Sequence, residues 1–150
     1  MYGWALALHS WIRWLVIVAG AVAVLRAFAE RGIWSSADER AGVVFTTILD
    51  VQVLLGLLLY LWLSPITAAA RHDMGATMQN TPLRFWIVEH PVGMVAAIAL
   101  AHIGRARIRR AAPATKARTA RIFFALALLL VLLSSPWPGL PYGRPLVRMP

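Results

Sequence analysis

Long apolar runs alternate with short polar connections along this chain. Four runs of about 16–25 residues, at positions 4–28, 42–63, 83–104 and 120–135, contain few ionisable side chains. An α-helix needs about 20 apolar residues to cross a hydrocarbon layer some 30 Å thick. The runs are continuous rather than alternating, which favours helices over a β-barrel. The pattern therefore predicts an all-α fold: a four-helix transmembrane bundle, up-down-up-down, in one integral membrane domain of residues 1–150.

The segments outside the runs carry their own signals. The middle connection, residues 64–82, is long enough for a functional lid or binding loop and amphipathic enough for a short surface helix. Prolines recur after the fourth run, so residues 136–150 are expected to lie extended on the outer surface or on a partner. The first run lacks a positively charged start and exceeds the apolar core of a signal peptide, so we expect it to remain as a helix.

Composition supports a membrane protein. Hydrophobic residues make up 60% of the chain and charged residues 14%, and the mean hydropathy is +0.68. Soluble domains are nearer 45–50% apolar and ~25% charged. The net charge of +9 comes from basic residues between apolar runs, which excludes nucleic acid as the expected partner and favours the lipid bilayer. The absence of cysteine excludes disulfides, thiolate metal sites and thioether-linked haem.

The basic residues collect in two of the three connections. Three arginines lie in or beside the first connection and seven basic residues in or beside the third. Positively charged connections stay cytoplasmic, so the N- and C-termini and the middle connection are expected outside. Tryptophans at the expected outer ends fit interfacial anchoring. The basic residues are Arg26, Arg31, Arg40, Arg105, Arg107, Arg109, Arg110, Lys116, Arg118 and Arg121, and the outer tryptophans are Trp4, Trp11, Trp62, Trp86 and Trp137.

Three ionisable residues lie inside apolar runs: His9 and Arg13 in the first and His90 in the third. An arginine at the centre of a span costs about 2.5–3.5 kcal/mol on insertion scales, so such residues are candidate functional sites. Both histidines are expected ~8–10 Å below the outer boundary, at 1.5 Å per residue. Imidazoles at matched depth on facing helices suit the axial ligation of one haem iron. Alternatively, both are core histidines that hydrogen-bond to neighbouring helices.

A haem bound near the outer surface also needs cations for its propionates. Arg13 follows His9 by four residues and shares its helix face. Arg84 opens the third run and Arg71 lies in the adjoining connection. Arginine binds carboxylates in a bidentate manner, so Arg13, Arg71 and Arg84 are the candidates. Small residues beside the histidines leave room for a flat cofactor, although they equally permit close helix packing.

Two acids within the runs need partners. Asp50 lies near the middle of the second run, and Glu89 directly precedes His90. Arg13 is expected to pair with one of these acids or with a propionate, because an unpaired arginine at that depth is expensive. The acids serve either as buried ion pairs that fix the bundle or in proton handling beside a redox or quinone site.

The other histidines have simpler explanations. His102 lies about 18 Å along the helix from His90, so we expect an interfacial histidine there. We expect His72, beside Asp73, to be a solvated loop residue, with a role over a metal or a haem edge as the alternative. The sequence has no nucleophile elbow, no glycine-rich phosphate loop and no HExxH motif, so an electron carrier or complex subunit is favoured over a stand-alone enzyme.

Five short motifs together resemble a known family. They are LHSWIRW at residues 8–14, DMGATM at 73–78, RFWIVEHP at 84–91, IGR at 103–105 and PWP at 136–138. The set resembles a family of small bacterial four-helix integral membrane proteins labelled cytochrome b-like, over residues 5–138. The resemblance implies a b-type haem, with His9 and His90 matching the family's histidines. Residues 142–150 depart from the family and are a candidate contact for a partner.

The sequence thus predicts a b-type haem protein that passes electrons in a bacterial cytoplasmic (inner) membrane, with His9 and His90 as ligands of the haem iron. A quinone or a larger membrane bioenergetic complex is the candidate partner. The alternative is a haem-free accessory subunit of a respiratory or photosynthetic membrane complex. An absorption spectrum distinguishes the two, because only a bound haem gives a Soret band.

Overall fold

A computed structural model of the chain describes residues 1–29 and 33–149, and this part of the chain is helical with no strand. The prediction of an all-α fold is therefore confirmed. Four helices are longer than twenty residues and three are short. In chain order they are α1 (Tyr2–Ala29), α2 (Ser36–Leu58), α3 (Pro65–His72), α4 (Met74–Gln79), α5 (Thr81–Arg84), α6 (His90–Arg110) and α7 (Pro113–Leu133).

Single turns of π-helix extend two of the long helices. Leu59–Leu63 continues α2, and Phe85–Glu89 joins α5 to α6 without a break. Three continuous helices, Tyr2–Ala29, Ser36–Leu63 and Thr81–Arg110, are consequently long and apolar enough to cross a membrane.

The fourth predicted span is not among these three. Helix α7 begins with a segment that carries Lys116, Arg118 and Arg121. Its uninterrupted apolar part, residues 122–133, is about 18 Å long at 1.5 Å per residue, short of a hydrocarbon core about 30 Å thick. The sequence pattern predicts a membrane span here, but the helix as formed includes three basic residues. For this reason α7 is not among the helices long and apolar enough to cross a membrane.

The long helices pack side by side, with α1 and α6 each in contact with both α2 and α7. Arg26 near the end of α1 bonds Asp38 at the start of α2, and Arg121 near the start of α7 donates to the carbonyl of Ala27. Near the opposite end, His9 of α1 meets Gln52 of α2. Neighbouring long helices therefore run antiparallel, and we call the end where α1 begins the histidine end.

Small residues fill much of the interior. Gly42 of α2 lies so close to Phe124 of α7 that a Cβ added there would be 2.8 Å from the ring. Phe124 meets Phe45 edge to face, with ring centroids 5.9 Å apart. Small residues let apolar helices approach closely, which is how helices associate in lipid. The core comprises Val16, Ala23, Ala27, Phe45, Leu49, Met94, Ala97, Ala101, Ile108, Ala120, Phe124, Ala127 and Val131.

Helix α7 ends before its neighbours do. Ser134, just beyond its end, lies against Gly93 of α6, and Trp137 meets Trp14 of α1 with ring centroids 6.1 Å apart. The part of α1 before Trp14, residues 2–13, therefore continues past α7 for about 18 Å at 1.5 Å per residue. Residues 134–149 return over this gap, so the C-terminal tail takes the place of the missing part of the fourth helix.

Two contacts hold the tail in this position. The ring of Tyr142 stacks on Phe85 at a centroid distance of 3.6 Å and an interplanar angle of 7°. The carbonyl of Leu146 accepts hydrogen bonds from Arg13 Nη2 and Trp14 Nε1, each of 2.9 Å. The predicted non-helical tail thus packs on its own chain, at the histidine end.

The middle connection folds into the short helices α3, α4 and α5, each begun by a polar cap. Ser64, Asp73 and Asn80 accept a hydrogen bond from a backbone N–H in the first turn of the helix that follows, which satisfies a donor that the helix itself cannot. Thr77 Oγ1 donates to the carbonyl of Ala70 and so joins α4 to α3. The connection is therefore an ordered cover beside the histidine end.

Candidate functional site

His9 and His90 meet at the histidine end. Their ring centroids are 6.2 Å apart and their planes are inclined by 77°. His9 lies in the third turn of α1, whereas His90 is the first residue of α6 after the π-turn. Residues separated by 81 positions along the chain thus bring two imidazoles together, on two helices that lie on opposite sides of the packed group.

Pro91 explains the local backbone around His90. Proline has no amide N–H, so the carbonyl of Ile87, four residues earlier, loses its helical donor. The amide of His90 bonds the carbonyl of Phe85, five residues back, which is the π-helical pattern. The hydroxyl of Tyr60 then donates to the free carbonyl of Ile87 at 3.2 Å and ties the end of the second long helix to this turn.

The protein fixes one nitrogen of the His90 ring. Nδ1 lies 2.8 Å from the carbonyl oxygen of Ser134. A carbonyl only accepts hydrogen bonds, so Nδ1 carries the proton in the neutral ring and Nε2 carries the lone pair. A backbone carbonyl in this position is the usual partner of a metal-ligating histidine, because it sets both the tautomer and the orientation of the ring.

His9 is held by Gln52 of α2. His9 Nε2 lies 3.3 Å from the Gln52 side-chain amide, while His9 Nδ1 and Gln52 Oε1 are buried without a hydrogen-bond partner among the described residues. The two ends of a glutamine amide are assigned from the hydrogen-bond network. As placed, Gln52 Nε2–H donates to His9 Nε2, which leaves the proton of the neutral ring on Nδ1. Turning the amide round would let Oε1 accept from His9 Nε2–H and would leave the lone pair on Nδ1, as a metal ligand requires.

A partly open cavity of about 50 Å³ lies beside the two histidines, and a second of about 70 Å³ adjoins it and shares them. Arg13 Nε is also buried there without a hydrogen-bond partner among the described residues. Buried polar atoms are nearly always bonded, so this group of unpartnered atoms indicates a site for a polar ligand or water. The first cavity is lined by Leu6, His9, Ser10, Arg13, Val16, Leu49, Gln52, Trp86, His90, Met94, Val131, Ser135, Pro136, Arg144, Pro145 and Arg148.

Among the described residues, the lining of this cavity contains three arginines and no lysine, aspartate or glutamate. Arg13 is 7% exposed, and its guanidinium lies near the rings of Trp14 and Trp137, 5.3 and 5.9 Å from their centroids. Arg144 lies over the ring of Trp86 at 5.0 Å, and Arg148 also lines the cavity. Arginine packs well against aromatic faces while its donors stay available for anions.

The other two predicted propionate ligands lie elsewhere. Arg84 Nε donates to Glu89 Oε1 at 2.7 Å on the surface. Arg71 donates to the carbonyls of Tyr60 and Leu61, which the end of the second long helix leaves free. Neither arginine lines the cavity beside the histidines, so the structure places only Arg13 of the three predicted arginines with the histidine pair.

The expected pairing of Arg13 with an acid is wrong. Asp50 Oδ1 lies 2.7 Å from His102 Nε2, and Glu89 is paired with Arg84. Asp50 of α2 therefore bonds His102 of α6, and Glu89 bonds Arg84. Neither acid bonds Arg13. His102, expected as an interfacial residue, thus forms a hydrogen bond with Asp50 between the two helices. His72 is exposed at the end of α3.

The described residues contain no group of three or more histidine, cysteine, aspartate or glutamate side chains suited to a bare metal ion. Two histidines are nevertheless the number that a porphyrin iron requires, because the macrocycle supplies the other four nitrogens. Fe–N bonds of about 2 Å on both sides of one iron place the imidazole centroids roughly 6 Å apart. The observed centroid distance of 6.2 Å and the oriented ring of His90 fit this arrangement.

Sequence reasoning missed part of the site. Gln52 was recognisable as a polar residue inside an apolar run, and the structure places it on His9. Ser134, Arg144 and Arg148 gave no such signal, because the segment after α7 has no hydrophobic period that would show which face meets the helices. No protein-family model, curated protein or solved structure matches the chain in the comparisons.

Proposed function

We propose that the four long helices form a transmembrane bundle in a bacterial cytoplasmic membrane, with α7 as its fourth span and both termini outside. The basic residues of the first and third connections support this orientation, because Arg26 and Arg121 lie together at the end opposite the histidines. Large apolar side chains along α1, such as Leu15, Val18, Val22 and Leu25, are exposed at helical spacing and would face lipid.

We propose further that this bundle binds one haem b, with His9 and His90 as axial ligands, and that it carries electrons. One observation carries the proposal: two histidines from different helices converge to 6.2 Å beside a cavity, and a protein carbonyl orients one of them. A pair of core histidines would instead have both rings satisfied by neighbouring helices, whereas His9 Nδ1 is buried and has no partner in the part of the chain that the structure describes.

The residues around the pair have defined tasks in this proposal. Ser134 holds the proton on His90 Nδ1 and so keeps the lone pair on Nε2, and Gln52 fixes the His9 ring. Leu49, Met94 and Val131 give the cavity an apolar wall that limits water. A bound haem supplies reversible one-electron chemistry at its iron. A quinone or another membrane complex is the partner expected to exchange the electron.

The test is the absorption spectrum of the protein produced with a haem supply and purified in detergent. We expect a Soret band with sharp α and β bands after reduction. His90→Ala and His9→Ala should each remove this low-spin spectrum, and His72→Ala should retain it as a matched control on an exposed histidine. A wild-type protein without a Soret band under these conditions would refute the proposal.

A haem-free accessory subunit is the second candidate, and one observation favours it. The side chains of Asp50 and His102 are 37% and 51% exposed in the middle of apolar helices. Exposed polar side chains facing lipid are expensive, whereas a partner protein packed there would cover them. If this function is the correct one, Asp50→Ala with His102→Ala should prevent co-purification of a membrane partner while the wild type shows no Soret band.

A further inference from the structure

We propose that Arg13, Arg144 and Arg148 form a carboxylate-binding site that holds the two propionates of the porphyrin. This inference rests on the proposed haem function and adds to it the part of the protein that selects the ligand. It moves that task from Arg71 and Arg84 to the C-terminal tail, while Arg13 keeps it.

The charge of the cavity is the first argument. Its lining contains three arginines and no acid. The described part of the chain has five acidic residues, and the structure commits each of them elsewhere. Asp38 bonds Arg26, Glu39 accepts from Trp34, Asp50 meets His102, Asp73 caps α4 and Glu89 pairs with Arg84.

The second argument is burial: the positive charge of Arg13 lies inside the protein and therefore requires an anionic partner. Arg13 is 7% exposed, and its Nε is buried without a hydrogen-bond partner among the described residues. Its Nη2 bonds only a neutral acceptor, the carbonyl of Leu146. A buried guanidinium without a counter-ion is costly, and a bidentate carboxylate is the group that best offsets that cost.

The tail is built to present the other two arginines. The amide of Arg144 donates to the carbonyl of Pro136, which closes a loop that begins at the end of α7. Tyr142, two residues before Arg144, is stacked on Phe85, and the Arg144 guanidinium lies over Trp86. These contacts fix the course of the tail, and both Arg144 and Arg148 line the cavity.

The histidines and arginines together match one ligand class. A ligand held by His9 and His90 at its centre and by arginines at one edge is flat, has two free axial positions and bears carboxylates along that edge. Iron protoporphyrin IX has this distribution of groups. Arg13 follows His9 by one helical turn on the same face, so the iron site and the anion site are adjacent. The tail is therefore the specificity-determining segment.

The experiment compares two porphyrins on the same protein. The chain is produced without haem, placed in nanodiscs of zwitterionic phosphatidylcholine and titrated with haemin and with haemin dimethyl ester, whose propionates are uncharged. The variants are Arg144→Ala with Arg148→Ala, and Arg109→Ala with Arg110→Ala. The second pair removes the same charge from exposed residues at the end of α6.

We expect the wild type and the α6 variant to bind haemin at least about tenfold more tightly than its ester, since hydrogen bonds between charged groups are worth roughly tenfold or more in affinity. The tail variant should lose about tenfold in affinity for haemin and retain its affinity for the ester. Equal affinities of the wild type for the two porphyrins would overturn the inference while leaving the haem function intact. An equal loss for both porphyrins in the tail variant would show only a structural role and would also overturn it.

Two further outcomes separate the remaining alternatives. If the wild type binds neither porphyrin, the proposed function fails, and the inference fails with it. Repeating the titration with phosphatidylglycerol in the nanodiscs tests a lipid phosphate as the true anion. If phosphatidylglycerol leaves the haemin affinity of the wild type unchanged, the inference is supported. If it lowers the haemin affinity of the wild type tenfold but not that of the tail variant, the arginines bind the lipid phosphate instead.

Discussion

At the scale of single residues, the site is determined by polar atoms placed inside an apolar fold. Each histidine is fixed by one neighbour, Gln52 for His9 and the Ser134 carbonyl for His90. Hydrogen bonds in a low-dielectric interior are strong, and unpartnered donors and acceptors are correspondingly expensive. The polar atoms beside the cavity that have no partner among the described residues therefore mark the candidate site better than the identity of any one residue does.

Tyr60 tests how the region around His90 is held together. Tyr60→Phe removes the hydrogen bond to the carbonyl of Ile87 and leaves the ring in place. Because Pro91 supplies no replacement donor, we expect a loss of about 0.5–1.5 kcal/mol in the free energy of unfolding. Unfolding in detergent with increasing denaturant measures this. Tyr2→Phe, whose hydroxyl makes no hydrogen bond within the described residues, should change stability little, and equal losses in both variants would contradict the assignment.

At the scale of elements, the unequal length of the long helices creates the site. Helix α7 ends at Leu133, whereas α1 and the helix Thr81–Arg110 continue to the histidine end. A fourth helix of full length would pack against His9 and His90 and fill the space that the cavity occupies. Ser134 stands at this break in the fourth helix, and its carbonyl is consequently free to accept from His90.

The tail is predicted to remain docked through one aromatic pair. Tyr142→Ala removes the stacking on Phe85, a contact worth about 0.5–1.5 kcal/mol. The undocked population should rise roughly 2–10-fold, and trypsin should cleave after Arg148 faster by the same factor, as followed by mass spectrometry. Val147→Ala, at an exposed position of the same tail, is the control and should leave the cleavage rate unchanged. Equal acceleration in both variants would show that the stacking does not hold the tail.

At the scale of the whole molecule, hydrophobic runs predicted the long helices well but not the contacts of irregular segments. The pattern predicted helices around residues 4–28, 42–63 and 83–104, because burial and lipid exposure both require apolar side chains. It also predicted that His9 and His90 lie at similar depth, which follows from counting residues along helices. It did not predict that Arg13 would bond Leu146, because 133 residues separate the two and the tail has no period.

The number of membrane crossings is the remaining question at this scale, and it depends on α7. If α7 crosses, the connection at residues 111–112 is cytoplasmic and the C-terminus is outside, as the basic residues of that connection predict. Alkaline phosphatase is active only outside the cytoplasm. Green fluorescent protein fluoresces only in the cytoplasm, because it does not become fluorescent after export in the unfolded state. We therefore expect phosphatase activity from a fusion after Met149 and fluorescence from a fusion after Ala112.

The two fusions together decide between three spans and four. Opposite results at Ala112 and Met149 require that α7 crosses, despite an apolar part of only residues 122–133. Fluorescence at both positions would mean that α7 lies at the cytoplasmic surface. The tail contacts Arg13 and His90 at the histidine end. That end would then face the cytoplasm, whereas the haem proposal assumes that it faces the outside. The fusion after Met149 therefore also tests whether the site opens to the outside.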